Sequence, residues 1–376
     1  MLVTILGVTP AISAKPDAIK TKAKAAALID VTSGRLLYSY NGDEELRIAS
    51  LTKIMTAIVA IEHSDIRDTV KVSKRAVGKE GSSIYLQLNE EMSLSNMLFG
   101  LMLRSGNDAA TAIAEHVGGT EEGFVYLMNE KAAFLGLAHT QFRNPHGLDA
   151  DGHYSSANDM AKLTAYALHN QVFAEIVATK QKKAPNPNDS WDYSWRNKNK
   201  MLTMYEGADG VKTGYTKKSF RCLVSSATRN GQQLVAVTIN DGDDWADHRD
   251  LLDWGFRHYP LQQITSKGEA IEGTTIVVGQ SFHYPLTTDE YSGITSEIVW
   301  TEQGSEAHAL GDRGKMSWRL NGETIGSVPL YESGSAKLKT RAHAKRSEQS
   351  LKQFRKASKY EDSIIKKWKR IIGVGR

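Results

Sequence analysis

Cysteine is almost missing from this chain: Cys222 stands alone among 376 residues. No intramolecular disulfide can form, so cysteine pairing says nothing about the compartment, and the residue reads as a small buried hydrophobe. Long apolar runs are missing too. Beyond the first residues no stretch approaches the ~20 apolar positions of a spanning helix, and a body that lives in water is expected. Positive charge is lacking where a nucleic-acid-binding core would need it. Residues 337–376 carry 14 Lys or Arg against 3 Asp or Glu, which leaves 33 against 40 in the other 336 residues. Basicity belongs to the tail, and nucleic acid is not an expected partner.

With 40% hydrophobic and 24% charged residues, a chain of this length buries a sizeable core and points to two domains. Its opening residues, MLVTILGVTPAISA, are apolar and end in small side chains before Lys15. That pattern resembles a secretory signal without its positive n-region. Residues 1–17 therefore read as a signal-like leader and export is expected, a buried N-terminal strand being the alternative.

Beyond the leader, AAALIDVTSGRLLYSYNGDEELRIAS reads as two short strands around a Thr-Ser-Gly turn. LTKIMTAIVAIEH then repeats apolar residues at helical spacing, with Ser50 suited to cap its start. Helical spacing dominates from Ser93 to about Leu168. Past the Pro- and Asn-rich break at 185–188, GVKTGYT, FRCLVSSATR and QQLVAVTIN read as strands, with a hairpin at Arg229-Asn230-Gly231. Residues 18–262 thus form one domain, a sheet made from both ends of the segment and packed against a helical insert. TTIVVG, SEIVW and WRLNGETIGSVPL, with a tight hairpin at Asn321-Gly322, mark a small all-β domain over 263–333. A basic linker over 334–349 and a helix over 350–376 complete the chain.

Three short motifs occur in order: Ser50-Leu51-Thr52-Lys53, Ser105-Gly106-Asn107 and Lys212-Thr213-Gly214. Each alone is weak, but the three together, in this order and context, are specific. On a helix Ser50 and Lys53 sit at i and i+3, so the lysine reaches the hydroxyl, and the helix start supplies backbone N–H groups near a developing oxyanion. A serine hydroxyl needs a proton acceptor, and a lysine serves only when burial and neighbouring cations lower its pKa. Lys212 is a candidate for such a cation. Ser105 can relay a proton to a leaving amine, while Asn107 can orient Lys53 and bind a substrate amide. On a strand, Lys212 and Gly214 point one way and Thr213 the other. Glycine there lets a substrate lie close along the strand edge, and the lysine with nearby hydroxyls favours a terminal carboxylate. No cofactor or metal is called for.

These residues resemble the low-molecular-mass penicillin-binding proteins that act as D,D-carboxypeptidases. The likeness extends to IASLTKIMTAIVAIE, LMLRSGNDAATAIAEHVGG, FRNPHGLDADGHYSSANDMA, DGVKTGYTKKS and LLDWGFRHY, and is strong over about residues 20–260. It implies a penicillin-binding, β-lactamase-like transpeptidase fold, α/β plus β: an antiparallel sheet with a helical insert, then a small all-β domain and a C-terminal amphipathic helix. It also implies a serine-type D-Ala-D-Ala carboxypeptidase that removes the terminal D-alanine from peptidoglycan stem peptides and is acylated by β-lactams. Ser50 would form the acyl-enzyme and Lys53 act as its base. Ser105 and Asn107 would complete the proton network, and Lys212, Thr213 and Gly214 would hold the substrate. The N–H groups of Ser50 and Tyr215 would bind the oxyanion. The nearest branch resembled is the one that trims spore cortex. One departure stands out: several family members place a carboxylate-binding arginine after the last core strand, where this chain has NDGDDWADHRD. His248, Arg249, or Thr213 with Thr216 are the candidate substitutes.

A β-lactamase shares fold and nucleophile, but class A enzymes use Ser-Asp-Asn and a Glu-bearing loop, whereas this chain has Ser-Gly-Asn and no Glu-x-x-Leu-Asn segment before Lys212. A zinc peptidase could draw on His139, His146 and His153 near Asp149, Asp151 and Asp159, yet no His-Glu-x-x-His motif is present. A non-catalytic wall-binding module on the same scaffold is opposed by the intact motifs. At the tail, Ile364, Ile365, Trp368, Ile371 and Ile372 fall within an arc of about 120°, opposite Lys366, Lys367, Lys369 and Arg370. Such a helix is expected to lie on an anionic membrane surface at the outer face of the membrane, anchoring the protein peripherally without crossing.

Overall fold

The computed structural model describes residues 19–339. In it the chain enters as β1 (Ala23–Asp30) and returns as β2 (Leu36–Tyr40). A short 3₁₀ turn (Ala49–Thr52) runs straight into α1 (Lys53–His63). A small hairpin, β3 (Thr69–Lys71) with β4 (Glu91–Ser93), opens the insert, which continues as α2 (Leu94–Phe99), α3 (Asn107–Gly118), α4 (Glu121–Phe134), α5 (Ala157–Leu168) and α6 (Gln171–Ala178). After the hairpin β5 (Gln181–Ala184) and β6 (Tyr193–Arg196) and the single turn α7 (Met201–Met204), three long strands follow. These are β7 (Ala208–Thr216), β8 (Phe220–Arg229) and β9 (Gln232–Asp241), and α8 (Asp244–His258) closes the unit.

The five long strands make one antiparallel sheet in the order β2-β1-β9-β8-β7, so the first strand pairs with the last. Alternation decides which residues face which layer. Leu28, Leu234 and Ala236 pack with Leu251 and Leu252 of α8. Gly255 permits the close approach, because a Cβ there would sit 2.5 Å from Leu28 Cδ2 and 2.8 Å from Leu234 Cδ1. The intervening residues, Ala25, Ala27, Ile29, Val235 and Val237, are fully buried on the other face, where α5 lies along β1 and β9. The β8–β9 reversal at Asn230-Gly231 has positive φ at both residues, the turn whose twist matches its strands.

The chain divides after Pro260, two residues before the boundary expected from composition. The second unit pairs β10 (Leu261–Thr265) with β12 (Phe282–Pro285). It also forms a four-stranded sheet from β11 (Ile276–Val278), β13 (Ile294–Trp300), β14 (Gly314–Leu320) and β15 (Glu323–Glu332). Its core is Ile276, Val278, Trp318, Val328 and Leu330, with the Phe282 ring stacked 4.9 Å from Trp318. Two one-turn helices, α9 (Thr288–Tyr291) and α10 (Glu306–Ala309), interrupt the otherwise all-β pattern. The expected leader, most of the expected basic linker and the expected tail helix lie outside the described residues. Among the described residues no helix is long and apolar enough to cross a membrane.

His248 of α8 is fully buried against the sheet, its Nε2 3.1 Å from Thr238 Oγ1, and burial pushes its pKa down to about 3. An unfolded histidine titrates near about 6.5. Between these values the unfolded chain binds a proton that the folded one does not, so stability rises with pH across the window and falls on acidification, by up to ~1.4 kcal/mol per pH unit. Unfolding free energy should therefore fall more steeply from pH 6.5 to 5 in the parent than in His248→Gln, measured by urea titration; parallel slopes would contradict this.

Candidate active site

The first motif is presented by strained backbone. Ala49 adopts φ +47, costly for a residue with a Cβ and tolerated where the surroundings over-determine it. Thr52 Oγ1 donates to Ala49 O at 2.9 Å and lies 2.8 Å from His153 Nε2. Because His153 Nδ1 accepts the Arg143 N–H, its proton sits on Nε2 and is donated to Thr52. Two glycines admit the neighbouring chain. A Cβ on Gly147 would lie 1.9 Å from Ala49 O, and one on Gly214 only 3.1 Å from Ser50 N. Ser50 was expected to cap a helix; instead it sits inside the 3₁₀ turn and the α-helix begins at Lys53.

Lys53 is fully buried. Its Nζ lies 3.1 Å from Ser50 Oγ, 2.7 Å from Asn107 Oδ1 and 2.6 Å from His146 O. Its pKa is driven well below the ordinary lysine value, first by burial and then by the cations of Lys212 and Lys198, with Asp108 opposing. A neutral amine has two N–H groups and one lone pair. In that form Asn107 and His146 would take the two hydrogens, which would leave the lone pair for the Ser50 hydroxyl.

The second motif follows a widened helical turn (Gly100–Arg104) that ends on Ser105 at φ +65. Ser105 Oγ is buried and has no hydrogen-bond partner among the described residues. Asn107 orients Lys53 through Oδ1, but its Nδ2 donates to Glu80 O at 2.6 Å. One of its two Nδ2 hydrogens is thus engaged by the loop at 80–82, which also receives the Asn107 N–H at Ser82 O. Asp108, not singled out from sequence, secures that loop by accepting Ile84 N, Leu86 N and Ser83 Oγ. An acid in the first turn of a helix was the available signal.

The third motif lies on edge strand β7. Lys212 is buried, its Nζ donates to Thr213 O at 2.7 Å, and burial followed by the Lys198 cation lowers its pKa to about 7. Lys198 is a second residue sequence reasoning missed; its Nζ donates to Ser82 Oγ at 3.1 Å, on the loop that Asn107 also bonds. Only the basic run RNKNK pointed to it. Tyr215 is exposed beyond Gly214, and Thr216 Oγ1 donates to Asp149 at 3.1 Å, tying β7 to the loop that carries His146. Cys222 is buried, with its thiol pKa pushed up to about 12 by burial, a packing residue beneath the site.

The zinc alternative finds no geometry. His139 is near Glu45, His146 Nδ1 accepts Leu148 N, and His153 is engaged by Thr52 and Arg143. Among the described residues no group of three or more such side chains could hold a metal ion.

A family model described as D-alanyl-D-alanine carboxypeptidase matches residues 11–243. A D-alanyl-D-alanine carboxypeptidase of Bacillus subtilis, DacF, is 33% identical over 350 residues, covering 88% of each chain. DacC of Escherichia coli, of the same description, is 36% identical over 347 residues, covering 84% of each. The crystal structure of penicillin-binding protein 5 from Haemophilus influenzae superimposes with a TM-score of 0.68 at 27% identity, covering 87% of this chain and 98% of that one. A buried lysine on a serine hydroxyl, flanked by two further short motifs, is thus found in a chain that belongs to the D-alanyl-D-alanine carboxypeptidase family of serine peptidases.

Proposed function

We propose that Ser50 is the residue through which this carboxypeptidase releases the terminal D-alanine of wall stem peptides. The observation that carries the reading is the 3.1 Å approach of a fully buried Lys53 Nζ to Ser50 Oγ. Lys53 takes the hydroxyl proton as Oγ attacks the carbonyl of the penultimate D-alanine, and the N–H groups of Ser50 and Tyr215 receive the oxyanion. The peptide C–N bond then breaks. Ser105 relays the proton held by Lys53 to the leaving amine, D-alanine departs, and water hydrolyses the ester as the neutral Lys53 takes the water's proton and returns it to Ser50 Oγ. Lys212 and Thr213 face the substrate carboxylate, and Gly214 leaves room for the substrate beside β7. β-Lactams open by the same attack and stay on Ser50. Ser50→Ala should abolish D-alanine release and covalent labelling by fluorescent penicillin while far-UV circular dichroism is unchanged. Labelling of the folded variant would sink the assignment.

The signal-like leader and the basic tail support an exported enzyme held at the outer face of the membrane by residues 350–376, and resemblance favours spore cortex as the layer trimmed. The arc of isoleucines and Trp368 supplies apolar area, while each basic residue adds about 1 kcal/mol on anionic lipid. Removing residues 350–376 should keep penicillin binding and release the enzyme from anionic vesicles in a flotation assay; equal flotation of both forms would contradict the anchor.

A further inference from the structure

The substrate carries a permanent terminal carboxylate, and Lys212 is poorly suited to meet it alone. Lys212 is buried, bonded to Thr213 O, and titrates near neutrality. Of the substitutes foreseen from sequence, His248 is sealed between α8 and the sheet. Arg249 is bonded to its neighbour Asp250 on the outer side of the helix. The run from the end of β9 into α8 is acidic, Asp241-Gly242-Asp243-Asp244.

Strand register brings a different arginine to the place. Arg221 of β8 pairs directly with Tyr215 of β7, and Thr213 pairs with Leu223. Leu223 in turn pairs with Thr238, whose hydroxyl meets His248 of α8. Because side chains alternate along a strand and align across it, Thr213, Tyr215, Arg221 and Leu223 share the α8 side. Gly214 and Cys222 look the other way, toward Ser50 and Arg47. Arg221 and Thr213 are diagonal neighbours on one face, a separation of about 7–8 Å that a long side chain spans.

The guanidinium is also held for use. Arg221 Nε donates to Asp244 Oδ2 at 3.1 Å, and Nη2 donates to Asp244 Oδ1. Asp244 is buried, whereas the Arg221 side chain is 42% exposed. This side-on grip uses two of five donors; Nη1 makes no hydrogen bond among the described residues, so the far edge of the fork faces outward. Arginine stays charged throughout the working pH range and matches a carboxylate with two parallel N–H groups. We propose that Arg221, held by Asp244 as a positioning residue, is the cation that binds the terminal carboxylate of the departing D-alanine.

The proposal rests on the Ser50 acyl-enzyme, so the test separates the two. Two ester substrates share one acyl-D-alanyl group; one has D-lactate as leaving group and keeps the carboxylate, the other has methanol and lacks it. For Arg221→Gln, kcat/KM on the D-lactate ester should fall about tenfold or more, chiefly through KM, while the methyl ester changes by less than about twofold. Arg221→Lys should recover part of the loss, and Asp244→Asn should lower the D-lactate ester alone. Equal losses on both esters, no loss on either, or a selective loss produced instead by replacing the exposed turn residues Lys217 and Lys218 would each overturn the assignment. Turnover of both esters that survives in Ser50→Ala would overturn the Ser50 reading itself, whatever Arg221 does.

Discussion

Lys53 has no exposed surface, and the three groups within hydrogen-bond reach of its Nζ are a hydroxyl, an amide oxygen and a backbone carbonyl, none of them charged. Burying an ammonium there without a bonded carboxylate is costly, and two further lysines press on it electrostatically. The pKa of the amine is driven well down accordingly. Once neutral, it has two hydrogens for Asn107 and His146 and one lone pair, aimed at Ser50. Burial thus disfavours the charged form, and the hydrogen-bond count gives the neutral amine its direction.

The remainder of the catalytic unit holds this arrangement in place. Ala49 is kept in its left-handed backbone by the chain from His153 through Thr52 to the Ala49 carbonyl, and Gly147 and Gly214 allow the two flanking segments to close on it. The loop at 80–86 is fixed from below by Asp108 and Asn107 and from its outer side by Lys198. β7 is an edge strand with a free side, so an extended peptide has room to lie beside it. In the sheet that carries β7, β1 pairs with β9, so a segment near residue 23 and another near 241 together frame the motifs that lie between them in sequence.

Much of this was legible in the residues. The long strands and helices have clear periods, Asn230-Gly231 and Asn321-Gly322 announce their turns, and the three motifs include Ser50 and Asn107, which bond Lys53, and Lys212, which acts on its charge. Short elements were not legible: β3 with β4 and β5 with β6 have strands of three or four residues, too few to show alternation. Ser50 as a helix cap was a fair inference from local preference, but tertiary crowding by Gly147 and Gly214 imposes a tighter turn. Asn107 holds Lys53 as its residue type suggested, but the Glu80 carbonyl that takes one of its two Nδ2 hydrogens is too distant in sequence to foresee. Lys198 and Arg221 lay hidden for the same reason, since their significance depends on cross-strand and loop neighbours that no local pattern records.

The measurement that bears most directly on this account is the pH dependence of the rate at which penicillin acylates Ser50, by stopped flow, in the parent and in Lys198→Met. A buried neutral base predicts a rate that rises as Lys53 loses its proton, with a midpoint well below the 10.5 of an ordinary lysine. Removing the Lys198 cation lessens the repulsion on a protonated Lys53, so the rise should move to higher pH in the variant. A midpoint near 10.5, or one that Lys198→Met leaves in place, would contradict it.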